Sequence, residues 1–86
     1  MTPEEKRSNW NRLAPKRVEV IRDKLRILGN CSNKGSYRWD GEIAQRLFAL
    51  LFLEFIGCAA CFGIRVEAQV DGQDVRAYLE PDDLAA

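Results

Sequence analysis

A chain of 86 residues makes one small domain with a modest core, and 47% hydrophobic with 30% charged residues argues against general disorder. The 13 basic and 13 acidic residues cancel, yet residues 1–39 hold ten Lys/Arg against four Asp/Glu and residues 40–86 hold three against nine, a split of +6 and −6. Histidine is absent, which excludes Ser-His-Asp and Cys-His catalysis and removes the commonest transition-metal ligand.

Three cysteines, an odd number, do not suggest a disulfide framework. With no secretory n-region and cleavage site, the expectation is a cytoplasmic protein with reduced thiols.

In chain order, residues 1–14 open with a helix-start pattern. Thr2 can cap, Pro3 suits the first helical position, and Glu4 and Glu5 suit the positive end of a helix dipole. This predicts a short N-terminal helix or arm ending near Ala14. Pro15 then opens a basic amphipathic helix over 15–28, in which Val18, Ile21, Leu25 and Leu28 line one side at 3-4-3 spacing. Leu13, Val20 and Ile27, seven residues apart, form a thinner second stripe, as in a helix wedged between two neighbours. Gly29 suits a left-handed closing position. Residues 29–40 read as a loop, with Tyr37 and Trp39 folding back onto the helices and Asp40 capping the next helix.

The stretch 41–62 predicts a helix whose polar residues Gln45, Arg46 and Glu54 gather on no single face. A helix apolar nearly all round is buried nearly all round. One basic helix, one loop and one hairpin cannot enclose it, so a homodimer or a larger protein partner is expected, with Leu47, Leu51, Phe52, Phe55 and Ile56 at the interface. Gly63 ends the helix, and the period changes from 3.6 to 2 through Ile64, Val66, Ala68 and Val70. Asp71-Gly72 is a favoured turn dipeptide, and Val75, Ala77 and Leu79 alternate after it, so 64–80 reads as a β-hairpin. A two-residue turn would pair Ala68 with Val75; a four-residue turn would pair Val70 with Val75. Both keep the apolar residues on one face. Pro81 stops the second strand, leaving 81–86 as an acidic, frayed tail. The fold class expected is α+β: two main helices packed antiparallel, a short N-terminal helix or arm, and a C-terminal β-hairpin.

No residue set supplies a catalytic, cofactor or metal site. Cys58 and Cys61 form C-A-A-C at the wrong end of a helix to stabilise a thiolate, and read as small buried residues. Zinc would lack a fourth ligand beside Cys31, Cys58 and Cys61. Glu54 reads as a partner of Arg46 or an exposed notch, since no second carboxylate stands beside it for acid–base work.

The run 12–48, with the core L-G-N-x-S-N at Leu28–Asn33 followed by an aromatic pair and a second helix, resembles a pattern in short uncharacterised proteins of phages and other mobile elements. The resemblance implies a helical hairpin and a mobile-element origin, and it implies no activity.

The leading functional expectation is a non-enzymatic protein-binding module, an inhibitor or regulator of a larger host protein. Its acidic half would contact the partner through Glu67, Asp71, Asp74, Glu80, Asp82 and Asp83. Nucleic-acid binding is the first alternative, through Arg12, Lys16, Arg17, Arg22, Lys24 and Arg26 of the basic helix with Lys34 and Arg38 of the loop. Against it, Glu19 and Asp23 sit at pairing distance along the helix from Lys16, Arg22 and Arg26. A small single-span membrane protein is the second alternative, disfavoured by Glu54 near the middle of the span and by a hairpin left uncovered.

Overall fold

A computed structural model describes residues 1–84. They form mainly helix, with three α-helices, one 3-10 helix and a two-stranded antiparallel sheet. The chain divides into two compact units, Met1–Arg38 and Trp39–Ala86.

The first unit is built on α1, Pro3–Asn30. Thr2 caps it as expected: its hydroxyl accepts from the Glu5 N–H at 3.1 Å and donates to the Glu5 carboxylate at 3.2 Å. The break expected between 1–14 and 15–28 is absent, because Pro15 lies inside one continuous helix. Proline deletes its own bond to the Asn11 carbonyl and crowds the preceding turn. Strong helix formers on both sides, Arg12, Leu13, Ala14, Lys16 and Arg17, carry the helix through.

Gly29 is likewise helical and not left-handed. The helix instead tapers through i to i−3 bonds, with the N–H groups of Cys31, Ser32 and Asn33 donating to Leu28, Gly29 and Asn30 at 3.0, 3.1 and 3.3 Å. Asn33 then organises the loop. Its side-chain oxygen accepts from Gly35 N–H at 3.0 Å and its carbonyl from Tyr37 N–H at 2.9 Å. No residue of α1 is buried, and Tyr37 of the loop is exposed where it was expected to fold back.

The second unit is built on α2, Gly41–Ala60. Asp40 is the expected cap, accepting from Glu42 and Ile43 N–H at 2.8 and 3.2 Å; Trp39 before it is exposed. At the other end Gly63 adopts φ +71°, Gly63 N–H donates to Ala60 at 2.9 Å and Ile64 N–H to Ala59 at 3.0 Å. This left-handed closure satisfies the last carbonyls and reverses the chain.

Asp71 and Gly72, at φ 49° and 80°, form a tight two-residue turn with both residues left-handed. It joins β1, Gln69–Val70, to β2, Gln73–Asp74, with Gln69 opposite Asp74 and Val70 opposite Gln73. The two-residue register is therefore the one formed.

The hairpin stops there, far short of 64–80. Residues Val75–Tyr78 are a 3-10 helix, not a strand. The Asp74 carboxylate accepts from Arg76 N–H at 2.9 Å and turns the chain out of the ladder. Tyr78 Oη donates to the Val70 carbonyl at 2.6 Å. Val75 and Tyr78, three apart, share one side of this helix, and Val75 is fully buried where the segment packs on α2. Pro81–Leu84 forms a further helical turn, α3, in place of a frayed tail; Ala85 and Ala86 lie outside the described residues. Ala49 of α2 and Val75 are the buried hydrophobic residues among those described.

Candidate interaction surface on the second helix

The C-terminal segment covers one side of α2. Arg46, Ala49, Leu53 and Ile56, at 3-4-3 spacing, are buried or half-buried. Two polar contacts fasten the covered side: Arg46 Nη2 donates to Asp83 at 2.9 Å, and Gln45 Nε2 donates to Asp71 at 2.6 Å. Asp83 also accepts from Glu80 N–H at 2.9 Å, so one carboxylate closes α3 and ties it to α2.

The opposite side of α2 is open. Ile43, Leu47, Leu51 and Phe55 form a row four residues apart, with Phe48 and Phe52 beside it, and their exposures run from 37% for Phe52 to 61% for Ile43. On a helical wheel these six cover about half the circumference. Within one chain the burial stops at the covered side, because a 3-10 helix and two short strands are too small to wrap both.

Of the expected interface residues, Leu47, Leu51, Phe52 and Phe55 belong to the open face, whereas Ile56 turns towards the covered side and is half-buried. Sequence reasoning left out Ile43 and Phe48, though the i, i+4 row beginning at Ile43 was the available signal. Phe48 and Phe52 also line an open groove with Trp39 and Val70.

Glu54 is the lone charge of the open side and sits at its edge, exposed. Arg46 is committed to Asp83, so Glu54 is the exposed notch and not the partner of Arg46. Cys58 and Cys61 are exposed at the C-terminal end of α2, which corrects the expectation that they are buried. Among the described residues no group of three or more Cys, Asp or Glu is placed to hold a metal ion.

The acidic residues proposed to face a partner are largely used within the second unit. Glu67 pairs with Arg65 at 2.8 Å, Asp71 holds Gln45, Asp74 caps the 3-10 helix, and Asp83 holds Arg46. Glu80 and Asp82 are exposed. On α1 the basic residues are all exposed; Arg26 pairs with Asp23 at 2.6 Å, and Arg12 donates to Asn9 at 3.3 Å. Among the described residues Glu19 forms no ion pair, so the pairing expected to quench Lys16 and Arg22 does not occur. Lys34 and Arg38 are exposed in the loop.

By length and composition α2 could cross a membrane, and little of it is buried within the chain. No family model matches this chain, and comparison with curated proteins and with solved structures gives no match.

Proposed function

We propose that this protein is a non-enzymatic protein-binding module that pairs with a second copy of itself through the open face of α2. The observation that carries this reading is the half-covered helix: one side is fastened to its own unit, and the other presents six large apolar residues to water. At about 25 cal/mol per Å² of apolar surface, such a face gains free energy from any partner that covers it. A contiguous apolar patch of this kind marks an interaction site.

The face also suits self-pairing. A two-fold axis at Leu51 between antiparallel copies sets Leu47 against Phe55 and Ile43 against Ala59, with Ala44 level with Cys58 and Phe48 level with the exposed Glu54. Such an isologous contact closes with two chains.

The same geometry disfavours membrane insertion. Spanning would carry Gln45, Arg46, Asp71 and Asp83 into hydrocarbon with the β1–β2 turn beside them, and irregular backbone facing lipid has no partners for its polar groups. The resemblance of residues 12–48 to short phage and mobile-element proteins fits a cytoplasmic regulator that acts by binding a larger host protein.

Cysteine cross-linking tests the pairing. With Cys31, Cys58 and Cys61 replaced by serine, Leu51→Cys should oxidise to a covalent dimer much faster than Glu42→Cys. Equal rates at the two positions in folded protein would dismiss the proposed axis.

A further inference from the structure

We infer that the apolar stripe of α1 docks an amphipathic helix with acidic flanks, supplied by a different protein. This deepens the protein-binding reading by naming the partner's chemistry. It rests on the first unit and does not require the α2 dimer.

Positions Asn11, Ala14, Val18, Ile21, Leu25 and Leu28 alternate at steps of three and four, the seam of a heptad repeat. The seam is open: Val18, Ile21 and Leu25 are 55%, 57% and 46% exposed. Continuity through Pro15 is what joins Asn11 and Ala14 to the rest. The two positions that flank such a seam decide which helix pairs with it. Here every charged residue at them is basic: Arg17 and Lys24 on one edge, Arg22 on the other.

A second copy is a poor occupant. Parallel pairing sets Arg17 of one copy near Arg22 of the other, and antiparallel pairing brings Arg17 and Lys24 together, so like charges meet either way. Nucleic acid is also a poorer fit. The two basic edges lie roughly 150° apart around the helix with the apolar stripe between them, and the face opposite the stripe mixes Glu5, Glu19 and Asp23 with Arg12 and Lys16. An acidic-flanked helix satisfies the stripe and both edges at once. Asn11 at a seam position favours a polar residue opposite and so sets the register.

The test uses the full chain and two fluorescent three-heptad peptides with leucine seams, one carrying glutamate and the other lysine at the flanking positions. Fluorescence anisotropy should show the glutamate peptide binding about tenfold tighter at low salt, with the gap narrowing as salt rises. A variant combining Arg17→Glu, Arg22→Glu and Lys24→Glu, all at exposed positions, should reverse the preference while keeping its helical circular dichroism.

Equal binding of the two peptides, binding of neither, or an unreversed preference would overturn the inference. Failure of the glutamate peptide because the chain's own apolar helix already covers the stripe would do so too. So would salt-sensitive binding of a random DNA duplex through the same three residues with no peptide binding, which would hand α1 to nucleic acid. Light scattering on the same samples reads the α2 dimer separately, so the two proposals can fail independently.

Discussion

Val75 is the position where the structure departs most testably from a simple hairpin. Its side chain is 0% exposed, enclosed where the 3-10 helix meets α2. Val75→Ala removes two methyl groups, each worth about 0.8 kcal/mol of transfer free energy, and the remaining cavity raises the total to about 2 kcal/mol. At roughly 0.05–0.15 kcal/mol per residue, a unit of this size holds only about 2–7 kcal/mol. The substitution should therefore remove a large share of its stability. Urea titration followed by Trp39 fluorescence, in a Trp10→Phe background, reads the second unit alone. The companion substitution is Ala77→Gln. A strand through 75–79 would point Ala77 inwards with Val75, whereas in the 3-10 helix Ala77 is exposed, so its change should stay within about 0.5 kcal/mol. A loss at Ala77→Gln as large as at Val75→Ala, or a loss below about 0.5 kcal/mol at Val75→Ala, would refute the docked 3-10 helix.

Three other substitutions probe separate parts of the fold. Pro15→Ala restores the Asn11 carbonyl's helical partner and should raise far-ultraviolet helicity, with a gain of up to about 3 kcal/mol in α1; a fall in helicity would contradict a continuous α1. Gly63→Ala meets open space around the new methyl group, so its cost is the left-handed backbone alone, about 1 kcal/mol by chemical denaturation. Arg46→Ala unties α3 at a pair whose Asp83 side chain is 19% exposed and should cost about 1 kcal/mol. As a control, Arg65→Ala, at a pair exposed by 88% and 77%, should leave the urea midpoint unchanged.

Local chemistry that completes itself within a few residues was readable in advance. Thr2 and Asp40 as caps, Gly63 as the end of α2 and Asp71-Gly72 as the turn each depend on one side chain or one backbone conformation close at hand. Pro15 misled because the rule that places proline at a helix start says nothing of a helix already running. The alternation of Val75, Ala77 and Leu79 fits period 2 and hides period 3, and Asp74 decided between them by capping. On α2, composition gave no sign of which half of an apolar circumference the chain would cover itself. That depended on how Asp71 and Asp83, 26 and 37 residues further on than their partners, reach Gln45 and Arg46. The same contacts turned carboxylates expected at a partner surface into internal fasteners.

The central claim is that the open face of α2 holds two copies together, and the molar mass in detergent-free buffer tests it most directly. Multi-angle light scattering at micromolar concentration should give twice the 9.8 kDa of one chain. Leu51→Glu, which places a charge on the axis with no partner, should return the mass to 9.8 kDa with helicity retained. A wild-type chain that stays monomeric at that concentration, or that dissolves only in detergent, would contradict the account.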